Sequence, residues 1–139
     1  MKKVFFAILV GGLMLSACED SEVKVPPVIE ELVIETDSIQ IEAYMSFSFT
    51  YRFTDNTGLS KFKVRIEDEF EGARLSAAPW NLEEEYDLEG LLGEGAKSYG
   101  ILYDTEHPDV EPGRYRLDVI VQDIDLNETS ESQYFVIYE

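Results

Sequence analysis

The 139 residues hold only a single cysteine, a single histidine and eleven Lys+Arg. One cysteine excludes an internal disulfide framework, and one histidine excludes a His-rich metal centre. Nucleophilic catalysis needs a Ser, Cys or Thr beside a base and an orienting group. His107 is the one imidazole available, and it stands in Glu106-His107-Pro108-Asp109, a polar turn with no nucleophile motif nearby. Eleven Lys+Arg against 29 Asp+Glu exclude a nucleic-acid binder, which needs a basic surface to displace counterions from phosphates. Long apolar runs are also missing. The best of them, Val4 to Leu13, is interrupted by Gly11 and Gly12 and is too short for a permanent membrane span. After residue 27 no stretch carries a convincing amphipathic-helix period.

What is present at the amino end is a secretory signal. Met1-Lys2-Lys3 is a short basic start, followed by the apolar run and by small residues at Ser16 and Ala17. Leu15-Ser16-Ala17-Cys18 resembles the bacterial lipobox. That resemblance implies acylation of the Cys18 thiol, cleavage before it and acylation of the new amine. The lone cysteine is then an anchor and not a redox centre. The organisation expected is a signal peptide over 1–17, a lipidated and acidic tether over 18–27, and one domain over 28–139. Loss of Lys2 and Lys3 leaves nine of the eleven basic residues against all 29 acids, a formal net charge of −20. Glu19, Asp20 and Glu22 follow the cysteine directly and resemble the acidic export signal of Bacteroidota surface lipoproteins. The expected location is therefore the outer membrane, on the cell surface, with Pro26-Pro27 stiffening a short spacer.

The body of the chain reads as short alternating segments separated by turn residues, the pattern of an all-β sandwich. Expected strands cover Val28 to Thr36, Ile39 to Tyr44 and the alternation Phe47, Phe49, Tyr51, Phe53. Asp55-Asn56-Thr57-Gly58 is a turn, and Phe62, Val64 and Ile66 alternate with Lys61, Lys63 and Arg65 in the next strand. Residues 68–79 read as a loop. The stretch from Trp80 to Leu88 fits a strand better than a helix, with Trp80 either core or a sugar platform. Gly90, Gly93 and Gly95 read as a flexible link before a strand over Tyr99 to Tyr103. Strands over Tyr115 to Gln122 and Gln133 to Tyr138 flank a turn at Asp123 to Glu128.

Seven or eight strands in this length suggest an immunoglobulin-like antiparallel β-sandwich. Glu111-Pro112-Gly113-Arg114-Tyr115-Arg116-Leu117 resembles the corner between strands E and F of such domains, with Leu117 where a disulfide cysteine would stand. The resemblance implies that the Tyr115 hydroxyl bonds to backbone a few residues upstream. The Tyr51 to Leu59 and Gly113 to Thr129 segments are similar to short Bacteroidota lipoproteins, some of which form a domain family of unknown function with this fold. No activity comes with that resemblance.

With 29 acids, close carboxylate pairs arise by chance and are no sign of glycosidase chemistry without a shaped cleft. The chain is accordingly expected not to be an enzyme. No cofactor is expected, calcium being the one candidate. Asp123-x-Asp125-x-Asn127 opens like an EF-hand loop, but Glu128 and Tyr134 replace the required Gly and Glu, leaving only a looser site with Asp55. The alternative is a solvated hairpin turn. If the 59–67 and 114–122 strands are neighbours, Lys61, Lys63, Arg65, Arg114 and Arg116 share an outward face, to which Tyr134 or Tyr138 would add aromatic surface. That face is a candidate for an anionic glycan or protein partner. Its alternative is a ladder of ion pairs with Glu67 and Asp118. The function expected is a lipid-anchored binding or adhesion module. The second possibility is an accessory subunit of an outer-membrane complex facing the periplasm.

Overall fold

The strongest alternation in the chain forms its central strand. Phe47, Phe49 and Phe53 lie fully buried on one side of an eleven-residue strand whose other side carries Ser48 and Arg52. A computed structural model describes residues 23–69, 81–102 and 110–139. Its elements are β1 (Val28–Ile34), β2 (Ser38–Gln40), β3 (Tyr44–Thr54), β4 (Leu59–Asp68), β5 (Leu82–Asp87), β6 (Leu92–Leu102), β7 (Gly113–Asp123) and β8 (Glu128–Tyr138). They form two sheets, ordered β1-β3-β6 and β2-β8-β7-β4-β5. This is the all-β, immunoglobulin-like sandwich expected from the sequence. Every pairing is antiparallel except β2 with β8, which run parallel with Ile39 opposite Ile137. Among these residues no helix is long and apolar enough to cross a membrane.

The inner faces meet through stacked rings. Phe47 lies 4.2 Å from Phe135 of the other sheet, and Phe135 lies 5.4 Å from Tyr115. Tyr51 and Phe53 reach Phe62 at 4.8 and 5.3 Å. Val64, Ile66, Leu117, Val119 and Val121 fill the space behind them, all fully buried. Tyr115 does what the corner pattern implied: its hydroxyl donates to the Glu111 carbonyl at 2.9 Å and accepts from the Glu111 amide at 3.2 Å. A buried phenol is thereby satisfied without solvent, and the entry into β7 is fixed.

Three boundaries differ from the sequence reading, each for a physical reason. The strand expected over Ile39 to Tyr44 is split, because the chain changes sheets there. Ile39 is buried in β2 beside β8, while Tyr44 already opens β3 in the other sheet. Gly93 and Gly95 are not a link but part of β6, opposite Phe53 and Tyr51. A Cβ at Gly95 would stand 3.0 Å from the Tyr51 hydroxyl, and one at Gly100 would stand 2.7 Å from that of Tyr44. The glycines let tyrosine side chains of β3 lie across the neighbouring strand. Finally, β8 begins at Glu128 and not at Gln133, because the ladder with β7 continues to the turn, with Gln122 opposite Glu128. The expected strand through residues 80–88 is β5, and Asp55 to Gly58 is a turn as read. Cys18, Glu19, Asp20, Glu22, Trp80 and His107 lie outside the described residues.

Candidate functional site

Strands β4 and β7 are neighbours, and the period of two does the rest. Arg65 stands opposite Asp118, Glu67 opposite Arg116, and Arg116 opposite Tyr134 of β8. The five cations read from the sequence thus share one outward face, and Tyr134 joins them, with the Arg114 guanidinium 3.9 Å from its ring centroid. Each cation also has a carboxylate. Lys61 pairs with Glu85 at 3.1 Å and Lys63 with Glu83 at 3.4 Å, both acids coming from β5. Arg114 meets Glu69 at 3.7 Å. Arg116 bonds Glu67, Glu69 and Asp118 at 3.0 to 3.3 Å. Asp118, almost wholly buried, also takes Arg65 at 3.4 Å and the Ser132 hydroxyl at 2.6 Å. The negative charge of Asp118 first, then Glu67 and Glu69, raises the Arg116 pKa above its ordinary value.

The face is therefore a balanced mosaic, and the cross-strand ladder with Glu67 and Asp118 is present. Exposed pairs of this kind contribute about 0–1 kcal/mol each, so their arrangement matters more for recognition than for stability. A hollow among Lys61, Lys63, Glu85, Ile120, Gln122 and Glu128 measures about 150 Å³. Small-molecule pockets start near ~300 Å³. A larger open hollow of about 460 Å³ lies at the other end of the face, among Arg65, Glu67, Asp68, Asn81 and Glu83, so the face offers both a wide contact area and a concavity of small-molecule size. Glu83 and Glu85 were invisible as partners in the sequence, because nothing there told which strand lies beside β4.

The turns named for calcium lie side by side at one end of the sandwich, the Ile124 amide donating to the Gly58 carbonyl at 2.9 Å. The carboxylates of Asp55 and Asp123 serve their own turns, and that of Asp125 holds the segment before β1. Asp123 is fully buried and accepts both the backbone and the side-chain N–H of Asn127, at 2.8 and 2.7 Å. Asp125 pairs with Lys24 at 2.6 Å. One oxygen of Asp55 accepts the amides of Thr57 and Gly58 and the Thr57 hydroxyl, at 2.7 to 2.8 Å. Among the described residues there is no group of three or more His, Cys, Asp or Glu that would hold a metal ion.

Burial works to raise the Asp55 pKa, but the hydrogen bonds from Gly58, Thr57 and Asn56 outweigh it and hold the pKa below the ordinary carboxylate value. A folded pKa below the unfolded one gives stability that is present above about pH 4 and is lost as pH falls through the folded value. Asp55→Asn should thus destabilise the domain near neutrality, and the difference from wild type should vanish in acid. Urea midpoints of both proteins across that range check it.

A second cluster, missed in the sequence, lines the opening between β5 and β6. The Tyr86 and Tyr99 hydroxyls lie 2.9 Å apart, Tyr86 donates to Glu84, and the Lys97 ammonium sits 3.4 Å from the Tyr86 ring centroid. Burial, and then the Glu84 hydrogen bond, raises the Tyr86 pKa; burial, and then the Tyr86 hydrogen bond, raises that of Tyr99. Both phenols stay neutral at physiological pH. They act as an amphipathic seam between the sheets and not as bases.

Fold and faces together define an immunoglobulin-like β-sandwich with a charge-interleaved sheet surface. The chain belongs to the family described as Domain of unknown function (DUF4625), whose model matches residues 16–138. No curated protein matches it in sequence. Among solved structures it is similar to the sporulation control protein Spo0M of Bacillus subtilis, at 6% identity and a TM-score of 0.49, over 83% of this chain and 50% of that one. It thus spans half the length of that relative. It is also similar to a CARDB domain from Pyrococcus furiosus crystallised with di-metal ions, at 12% identity and a TM-score of 0.46, over 81% and 94%. A β-glucosidase of Erythrobacter marinus matches at 16% identity and 0.47, over 80% of this chain and 15% of the enzyme.

Proposed function

We propose that this chain is a non-catalytic, lipid-anchored module of the bacterial cell surface, acylated on Cys18, exported through Glu19, Asp20 and Glu22, and used for binding or adhesion. The observation that carries the reading is where the chain joins the sandwich. Asn56 donates to the Val23 carbonyl at 3.3 Å, Lys24 pairs with Asp125 and Pro27 is buried. The segment leading from Cys18 is thus held at one end of the domain, the end of the 55–58 and 124–127 turns. An anchor there points the opposite end of the sandwich away from the membrane and sets the β4–β7 face side-on to it, with Arg114 and Arg116 at the far end.

The interleaved charges of that face fit a protein surface of complementary pattern, or an acidic glycan able to compete with Glu67 and Glu85 for the cations. A second reading, an accessory subunit facing the periplasm, draws on Tyr134, Val136 and Tyr138. These form a half-exposed apolar stripe along the outer side of β8, of the kind that protein interfaces cover.

Protease shaving of intact cells separates the two. Wild-type protein should be cleaved, and a variant with Glu19, Asp20 and Glu22 changed to Gln, Asn and Gln should be protected. Protection of both forms would place the protein in the periplasm and leave the second reading standing.

A further inference from the structure

We propose that the end of the sandwich nearest the tether is a membrane-contact surface, its apolar loop tips seated in the headgroup region of a zwitterionic phospholipid bilayer. The inference rests on the anchoring proposed above and adds to it an orientation and a contact.

Half of the exposed large apolar side chains among the described residues gather at this one end: Val23, Val25, Leu91, Leu92, Ile124 and Leu126, apart from the β8 stripe and from Val33 and Tyr44. Backbone bonds gather them: the Asp55 amide donates to the Leu91 carbonyl at 3.0 Å, and Ile124 is bonded to Gly58 in the same way at 2.9 Å. The Asn56 and Lys24 bonds hold the 23–28 segment across the same turns. An apolar cluster on two separate turns and a strap has no role in a core that lies behind it.

Leu126 adds an independent sign. The hairpin between β7 and β8 closes with the Leu126 amide on the Asp123 carbonyl and the Asp123 amide on the Asn127 carbonyl. Leu126 takes φ 69°, the left-handed position that such a loop usually gives to Gly or Asn. It is the one described non-glycine residue with positive φ, and it is 73% exposed. The chain therefore bears backbone strain to hold a leucine where the folded domain gains little from it, and strain of that kind points to a contact outside the domain.

Distance names the contact. From Cys18 to Val23 are five residue steps, at most about 17 Å when fully extended. An acylated Cys18 lies at the bilayer surface, so the strap and the turns bonded to it are held within reach of the headgroups. The net charge of −20 disfavours anionic lipid and leaves a zwitterionic surface as the one these apolar tips can enter without repulsion.

The test uses the full-length lipoprotein, purified from the cells that acylate it and reconstituted into phosphatidylcholine vesicles. Acylation uses the only native thiol, so a fluorophore on Leu126→Cys, on Leu91→Cys or on Ser38→Cys is a unique label. Ser38, exposed at the start of β2 beside Val136, marks the opposite end. Nitroxide lipids should quench the probes at 126 and 91 several-fold more than the probe at 38, and aqueous iodide should show the reverse order. Equal iodide quenching at both ends overturns the proposal. So does shielding of 126 from both quenchers, which would mean that a protein or a second copy covers this end. Intact mass separates the two layers of inference: an unmodified Cys18 overturns the anchoring as well, whereas an acylated Cys18 with an iodide-accessible 126 overturns the contact alone. All three labelled positions are exposed, and equal thermal midpoints of the labelled proteins exclude a folding artefact.

Discussion

Phe47→Ala is expected to cost the domain about 3–5 kcal/mol, the loss found when a fully buried ring leaves a cavity that its neighbours cannot fill. Phe47 has no exposed surface, stacks on Phe135 at 4.2 Å and lies 6.2 Å from Phe49. Phe135 in turn stacks on Tyr115. One truncation therefore removes the bridge between β3 and β8 and loosens the ring beside the Tyr115 corner. Against a total stability of about 5–15 kcal/mol, such a loss is a large fraction of what keeps the chain folded. A urea titration should show the midpoint falling by about 1–3 M with an unchanged slope. Tyr134→Ala, on the outer side of β8 and 43% exposed, should move it little. A loss of under about 1 kcal/mol at Phe47 would mean that the two sheets do not pack there.

The same packing explains which parts of the fold were legible beforehand. β3, β4 and β7 each bury one face against the other sheet, so their apolar residues recur at period two and the sequence displays them directly. The Tyr115 corner was legible because a local run, Glu111 to Leu117, carries both the donor and its acceptor. β6 was hidden because its residues answer to its neighbour. Gly95 and Gly100 are shaped by Tyr51 and Tyr44, whose positions depend on a pairing no local pattern records. β2 was blurred because the chain changes sheets within a few residues, and alternation cannot say which sheet a strand joins.

The candidate face shows the same division. Its cations were predictable from register alone, since two alternating strands placed side by side must align their outward residues. Its neutralisation was only half predictable. Glu67 and Asp118 lie on the two strands already paired, but Glu83 and Glu85 arrive on β5, whose place beside β4 is a tertiary fact. The apolar end was out of reach altogether. Val23, Leu91 and Leu126 are far apart in the chain, and single exposed apolar residues are ordinary on protein surfaces. Only their convergence on one end gives them meaning.

On the proposed anchoring, Cys18→Ala is expected to have the largest effect of any single substitution, removing the protein from the outer membrane. Each buried methylene contributes about 0.8 kcal/mol, and a single myristoyl chain holds a protein only reversibly, whereas two or three chains hold it for practical purposes permanently. If Cys18 is the lipidated residue, as proposed, loss of the thiol removes the diacylglycerol and, with it, the cleavage and the acylation of the amine that would follow. No graded weakening is then expected, because all the chains depend on one sulfur. The result needs a readout that the uncleaved precursor cannot imitate, since a retained signal segment with its basic start and apolar run is itself membrane-associated without spanning it permanently. Intact mass provides it. Wild-type protein should begin at Cys18 and carry the acyl mass, and the variant should retain residues 1–17 without it. In fractionated envelopes the wild type should band with the outer membrane and the variant with the inner. A variant of unchanged mass increment and unchanged banding would place the acylation elsewhere and remove the basis for the orientation argued from Val23 and Lys24.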